Sequence, residues 1–377
     1  MLAVAAGVAV ANLYYAQPLA AAIERDLHAN VAEVGTAMTV TQLGYALGMI
    51  LLVPLGDGRE RRSVIVATAA SSVVALVLAG CSGSVVTLSV ASFLVGVASS
   101  VVQMLIPYGV DLGRPEERGR IVGNIMAGLL TGILLSRTAS GAIGGVLGWR
   151  AVYLIAAGAM AALTVVLRVA MPRREPAERL PWATILRSLG HVLVSEPILQ
   201  RRAIVGALGM GCFSIFWSML SFQVADLGYG STTAGIFGAI GVVGVFVAPL
   251  AGRLATGPNP ARLNVLGLGV AALSFLVFVV GARSLLAIGA GVVLLDAGVQ
   301  ASHLTNQTVI FGMRPEIRNR LNALYMVSYF AGGALGTFAA SIAWSHGRWS
   351  AVCATGAAFA ILGMVPLLRE RAPARTT

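Results

Sequence analysis

Residues 64–80 read VIVATAASSVVALVLAG, with no charge anywhere, and runs of this kind recur along the whole chain. No other feature limits the fold so severely. A run that is apolar on every side has no face to give to water. A bilayer core accepts about 20 such residues as one helix, with every backbone polar group satisfied inside it. Spans are read at 2–22, 34–55, 64–80, 85–107, 121–143, 151–170, 203–224, 232–252, 263–282, 285–312, 321–343 and 350–368. Strands of a membrane β-barrel would alternate apolar and polar residues over about 10 positions, and these runs do not alternate. Only 11% of the 377 residues are charged and 57% are hydrophobic, against about a quarter charged in a soluble domain. The expected fold class is an all-α polytopic membrane protein with twelve transmembrane helices.

A net charge of +11 would suggest nucleic acid as the partner of a soluble protein. Here all 26 basic residues are arginines, and they collect in the gaps between apolar runs. Arginines so placed fix topology, so the expected partner is the lipid bilayer, not nucleic acid. The loops at 56–63, 108–120, 168–202, 253–262 and 313–320, with the C-terminal tail, carry 21 arginines. The opposite loops carry Arg25, Arg150, Arg283 and Arg348, and Arg137 lies within a span. The arginine-rich side is therefore expected in the cytoplasm, with both termini there, in a bacterial cytoplasmic (inner) membrane. Ala20-Ala21-Ala22 resembles a signal-peptide cleavage site, but no basic segment precedes the first run. That run is read as a span, with a short cytoplasmic tail missing before it. Cys81, Cys212 and Cys353 sit in or beside separate runs without CxxC spacing, so no disulfide framework, metal or cofactor is expected.

The longest connection, 171–202, opens with PRREPAERLP and continues with WATILRSLGHVL, where Trp182, Ile185, Leu186, Leu189 and Leu193 recur at helical spacing. A short amphipathic helix on the inner membrane surface is expected there, started by Pro181. This segment separates an N-terminal six-helix bundle, 1–170, from a C-terminal bundle and tail, 203–377.

The two bundles echo one another. RPEERGR at 114–120 returns 200 residues later as RPEIRNR at 314–320. PLGDGR at 54–59 is matched by PLAGRL at 249–254. GWRAV, ending at Val152, is matched by GRWSAV, ending at Val352, and Gly132 corresponds to Gly332. Six spans return the chain to its starting side, so the copies run parallel. Such a duplication places a binding site near the membrane midplane, where the repeats meet.

With six plus six spans, a long central loop and a charged loop after span two, the chain resembles the major facilitator superfamily over essentially its whole length. The family's loop reads G-x-x-x-D-[RK]-x-G-R-[RK]. Here Asp57, Arg61 and Arg62 match, whereas Val53, Gly58 and Glu60 depart from it. NLYYAQPL at 12–19 and GILLSRTASG at 132–141 are similar to the bacterial efflux branch of arabinose- or drug-efflux-like permeases. The resemblance implies alternating access and a central cavity lined by the first, fourth, seventh and tenth spans. It also implies a cytoplasmic gate at Asp57, Arg61, Arg62, Arg118 and Arg318. There Asp57 would cap a helix start, and the arginines would meet acids or helix C-termini across the halves. For most of these arginines, fixing orientation and touching lipid phosphates is the preferred account. Two departures leave a symporter or facilitator open: Ser92 stands where drug–proton antiporters of the family carry an arginine, and span five lacks their Gly-Pro pair.

Charge inside hydrocarbon costs about 2.5–3.5 kcal/mol per residue on insertion scales and marks candidate function. Asp296 and Arg137 are the two clear cases. In span ten, Asp296, Gln300, His303 and Gln307 share one helix face. In span four, Ser92, Gly96, Ser99 and Gln103 repeat that spacing. The candidate substrate-binding residues are Asn12, Tyr15, Gln42, Tyr45, Gln103, Arg137, Trp217, Gln300, Asn306 and Asn322. Phe216, Ser221 and Tyr325 lie on the same faces. The proton-coupling candidates are Asp296 and His303, since a proton carrier needs a group that changes protonation between the two sides. Arg137 serving only as counter-ion to Asp296 is the alternative for that pair. With no lysine in the chain there is no ATP-cradling G-x-x-x-x-G-K-[ST] loop, so a gradient must supply the energy. Asp296 and His303 lie about two helical turns apart and H-E-x-x-H is absent, which argues against an enzyme. A channel would show uniform pore-lining rings. The expected function is proton-coupled efflux of a small organic solute (sugar, drug or metabolite) by a monomer.

Overall fold

The computed structural model describes residues 1–173, 182–241, 259–314 and 317–368. All its regular structure among these residues is helical: α1 (Leu2–Ala11), α2 (Ala16–Asp26), α3 (Val31–Leu51), α4 (Val53–Gly58), α5 (Arg61–Gly80), α6 (Val85–Ser99), α7 (Val101–Leu112), α8 (Arg118–Leu147), α9 (Trp149–Ala170), α10 (Trp182–Ser195), α11 (Pro197–Asp226), α12 (Ser231–Ile240), α13 (Pro260–Val280), α14 (Leu285–Phe311) and α15 (Arg318–Leu368), apart from one turn of 3₁₀-helix. Ten helical stretches among the described residues are long and apolar enough to cross a membrane. The last of them is two helices that meet at Gly347 and Arg348, where the backbone is not helical. The span read at 232–252 is described only as α12, and its remainder lies outside the described residues.

Polar side chains set the helix ends in the way the sequence demands. A helix start leaves four backbone N–H groups without internal partners. Asn30 and Glu33 close a reciprocal capping box at α3, and Ser84 with Thr87 does the same at α6. Ser284 accepts from the Ala287 amide at α14. Glu60 caps α5 through the amides of Arg62 (3.0 Å) and Ser63 (2.9 Å). A residue that departs from the family pattern thus caps this helix, and the Asp57 side chain, expected to cap a helix start, lies outside the described residues. Span seven begins at Pro197, six residues before the expected start at 203, so Arg202 belongs to a helix and not to a loop.

Two compact units result. One comprises Met1–Ser188 and Ser218–Ala239, the other Leu189–Trp217 and Ile240–Thr377. In the first, α1 packs along α8, α3 along α6 and α5 along α9. In the second, α13 packs along α14 and α15. The WATILRSLGHVL stretch of the 171–202 connection lies in α10, Trp182–Ser195. Its indole Nε1 of Trp182 donates to the Leu51 carbonyl in the first unit (3.1 Å). Ile185 and Val192 are its buried residues, whereas Leu193 is exposed.

The 200-residue echo is visible in contacts within each unit. A Cβ on Gly132 would collide with the Gly7 backbone, and a Cβ on Gly332 would collide with the Ala207 backbone. Both pairs let two helices touch main chain to main chain, the close approach that stabilises helix pairs where lipid supplies no hydrophobic drive. Trp149 and Trp349 repeat the relation. The first donates its indole N–H to Asp26 (3.1 Å), the second to the Phe278 carbonyl (3.0 Å).

These seams give a stability prediction. Gly332→Val should destabilise the purified protein by about 1–3 kcal/mol, the usual cost of overpacking. Gly123→Val, where a Cβ meets nothing within 4 Å, should change it by less than about 0.5 kcal/mol. Thermal unfolding in detergent checks both.

Candidate functional site

In the first unit the site begins with a flaw in a helix. Pro18 has no N–H to give the Tyr14 carbonyl. That carbonyl instead accepts from Gln17 at 3.2 Å, while Leu13 and Tyr14 bond back to Val10 (3.1 Å) and Ala11 (3.0 Å). These i→i−3 bonds tighten residues 12–15 into a turn between α1 and α2. Asn12 sits at the break with 3% of its surface exposed. Neither atom of its amide has a hydrogen-bond partner among the described residues.

The same break anchors the charge of span five. Arg137 is buried, its Nε donates to Gln17 Oε1 at 2.6 Å, and its guanidinium lies 4.7 Å over the Tyr14 ring. Tyr15 meets Tyr153 edge-on with centroids 6.4 Å apart. Deeper in the unit Gln103 Nε2 donates to the Tyr45 hydroxyl at 3.0 Å, and Gln42 is buried on the same helix as Tyr45. The span-four stripe divides its tasks. Gly96 packs against α3, Ser99 bonds back to Val95, and Gln103 reaches across to Tyr45.

In the second unit the polar stripe of α14 faces α11 and α15. Trp217 Nε1 donates to Asp296 Oδ1 at 3.3 Å. Phe216 and Phe213 pack on that indole, with centroids 5.3 Å and 5.9 Å away. The indole supplies a donor and an apolar wall to a carboxylate that is only 8% exposed. One stretch further along, His303 Nδ1 lies 3.0 Å from the Tyr325 hydroxyl, and the Tyr329 ring is 4.4 Å from the imidazole. Gln307 reaches the Met326 sulfur at 3.8 Å, and Gln300 is half-buried.

Beside His303 lies a polar cluster of which sequence reasoning named only Asn306. Arg202, Asn264, Ser302 and Asn306 are all buried. The Asn264 amide is 2.8 Å from Asn306 Oδ1 at one end and on the Ser302 hydroxyl at the other. The orientation that satisfies this amide turns its oxygen to Arg202 Nη1, 2.9 Å away. The other end of the Asn306 amide meets the Tyr325 hydroxyl, and the Asn322 oxygen has no partner among the described residues. Arg202 was read as a topology signal because it lies at the edge of an arginine-rich gap. Asn264 is the second residue of its expected span, where a polar residue reads as a boundary. Only the fold brings them together.

The loop arginines find partners inside the first unit. Arg61 pairs with Asp111 and donates to the Gly56 carbonyl at 3.2 Å. Arg62 donates to the Arg168 carbonyl in the last turn of α9, where a helix dipole favours a cation. Arg118 and Arg318 are exposed. Among the described residues no group of three or more His, Cys, Asp or Glu side chains could hold a metal ion.

Comparison with known proteins follows from this geometry. The family model described as "Major Facilitator Superfamily" matches residues 2–311. YgaY of Escherichia coli (strain K12), named an uncharacterized transporter, is 38% identical over 367 residues, 97% of this chain and 93% of that one. A protein of Streptomyces coelicolor named as the transporter SCO4007 is 33% identical over 369 residues, 96% of this chain and 85% of that one. Among solved structures, a bacterial homolog of the human lysosomal transporter Spinster, inward-facing and unoccupied, superposes with a TM-score of 0.78 at 16% identity, covering 99% of this chain and 98% of the other. A D-xylose–proton symporter gives a TM-score of 0.78 at 12% identity, over 98% and 96% of the two chains. At these identities the two structures speak to the fold alone.

The missed cluster is tested by stability. Asn264→Ala removes the shared partner of Ser302, Asn306 and Arg202 and should destabilise the protein by about 1–3 kcal/mol. Gln300→Ala should change it by less than about 0.5 kcal/mol. Thermal unfolding of the two variants decides.

Proposed function

The chain belongs to the major facilitator superfamily and is a multi-pass membrane transporter, not an enzyme, and on that premise we propose that it exports a small organic solute in exchange for protons by alternating access. One observation carries this reading. Buried amides are ordinarily hydrogen-bonded, and leaving one unsatisfied costs about 1–3 kcal/mol. Among the described residues Asn12 and Asn322 hold buried amide atoms without partners. Both are among the residues whose position within apolar spans marks them for substrate. A transporter needs polar atoms held in reserve for a ligand, and a merely structural bundle does not.

The charged groups divide the remaining work. Asp296, backed by the Trp217 indole, and His303, backed by the Tyr325 hydroxyl, are the proton carriers in this reading. Tyr15, Gln42, Tyr45, Gln103, Arg137, Trp217 and Gln300 complete the substrate contacts. Energy enters as a proton gradient, worth about 2.3 kcal/mol per charge per 100 mV from its electrical part.

Movement is supported by where the chain grips itself. The first unit contains residues 218–239, which come from the second half of the sequence. Ser221 Oγ donates to the Pro18 carbonyl (3.1 Å) and accepts from the Ala21 amide (3.2 Å). Thr138 donates to the Gly235 carbonyl at 3.1 Å, and Thr232 to the Gly141 carbonyl at 3.4 Å. In the positive-inside orientation these contacts lie toward the outer ends of their helices. They are the ones that part when 1–170 and 203–377 rock and the site turns outward, with 171–202 as the tether between them. On the other side Asp57, Arg61, Arg62, Arg118 and Arg318 form the cytoplasmic gate. The same orientation puts both termini in the cytoplasm of a bacterial inner membrane, with a monomer as the working unit.

The test is proton flux. Purified protein in proteoliposomes holding a pH-sensitive dye is offered sugars, amino acids and organic cations in turn. A carried solute should move protons in the opposite direction in the wild type. Asp296→Asn should abolish the pH signal and spare solute counterflow. An undiminished pH signal in that variant removes Asp296 from coupling.

A further inference from the structure

The Tyr325 hydroxyl is fully buried where three helices converge. Its ring packs on Gly206 of α11. Its hydroxyl lies 3.0 Å from His303 Nδ1 of α14, with Arg202 and Asn306 beside it. Tyr329, one turn along α15, covers the imidazole from another side with its centroid 4.4 Å away. A histidine ring held by a hydroxyl and an aromatic face cannot turn over easily, so which nitrogen meets the transport pathway is set by its neighbours.

From this geometry, and resting on the reading of His303 as a proton carrier, we propose that Tyr325 is a positioning residue that holds His303 Nδ1–H and leaves Nε2 to take and release the transported proton. The argument is one of donor and acceptor accounting. An imidazolium donates from both nitrogens. The partner of Nδ1 must therefore accept a hydrogen bond whenever His303 is charged. A hydroxyl oxygen can accept, and with the Asn264 oxygen turned to Arg202 the Asn306 amide gives its nitrogen to Asn264 and leaves its oxygen to accept the Tyr325 proton. If Nδ1–H donates to Tyr325 in the neutral state as well, loading a proton adds it at Nε2 and breaks no existing bond. Unloading removes it from the same atom, so the ring keeps its place through the cycle. Phenylalanine would keep the shape and lose the acceptor. The ionisable groups around this point are Arg202 from α11, Tyr325 and Tyr329 from α15, and Asp296 two turns away on α14 itself. Among the described residues α13 brings neutral Asn264.

The test needs no substrate. Full-length protein labelled with 15N-histidine reports which imidazole nitrogen carries the proton, and His303→Gln assigns the signal against those of His28, His191 and His346. The wild type should show neutral His303 as a single tautomer protonated at Nδ1, and Tyr325→Phe should show a mixture of both tautomers. A wild type protonated at Nε2 would overturn the proposal, and that result requires no variant to fold. A Tyr325→Phe spectrum that superposes on the wild type would overturn it too, since a purely structural tyrosine leaves the tautomer unchanged. The coupling reading fails by a different result: solute-driven proton flux that survives His303→Gln.

Discussion

A polar atom carried into hydrocarbon must find another polar atom, because water is not there to meet it. Most of this protein obeys that constraint locally. Serines and threonines along the spans bond back to carbonyls three or four residues earlier, as Thr41 does to Ala37 and Thr305 to Ala301. Helix starts are capped by Asn30, Glu60, Ser84 and Ser284. Where the demand exceeds what one helix can supply, side chains answer across helices. Arg137 turns to Gln17 and Tyr14, and Arg202 is met by an asparagine cage. Against this background the unpartnered amide atoms of Asn12 and Asn322 stand out. Their cost has a use only if a ligand meets them in some state of the cycle.

The broken first span shows how sequence becomes chemistry. Proline at 18 withholds one N–H, the chain compensates with tighter bonds, and the turn so formed presents Asn12, Tyr14, Tyr15 and Gln17 within a few residues. A continuous helix would have spread those four around its circumference at 100° per residue. Non-helical backbone at membrane depth is tolerated where it is buried in protein or lines a cavity, and discontinuous spans are how secondary transporters build sites near the midplane. The second unit repeats the plan. Gly132 and Gly332 fit helices together in the same way in the two units, while positions 103 and 303 hold glutamine in one and histidine in the other. A shared frame with divergent polar groups lets one unit keep amides and the other acquire titratable side chains.

Much of this was legible in the sequence, because length without charge determines a membrane helix almost by itself. The apolar helices and the family follow from apolar runs and echoed loops. The stripe through Asp296 and His303 was legible for the same reason, since helical periodicity puts spaced residues on one face. What periodicity cannot tell is what a face meets. Trp217 as the donor to Asp296, Tyr325 as the partner of His303 and the cage around Arg202 all come from packing between helices distant in sequence. Asn264 and Arg202 look like span boundaries in one dimension, and Glu60 looks like a blemish in the family's loop rather than the cap it is. The break at residues 12–15 was also hidden. The apolar run 2–22 reads as one helix, and only the fold shows it divided into α1 and α2.

The central claim is that polar atoms stranded inside the spans are kept for a passenger and not for the fold. Asn12 tests it most directly. Replacing Asn12 with leucine, close to it in size, removes two unsatisfied polar atoms from a buried site. The account predicts that Asn12→Leu raises the thermal stability of ligand-free protein, by roughly 1–3 kcal/mol, while abolishing solute transport. A variant that melts lower than the wild type and still transports would contradict it, because Asn12 would then be serving the fold alone.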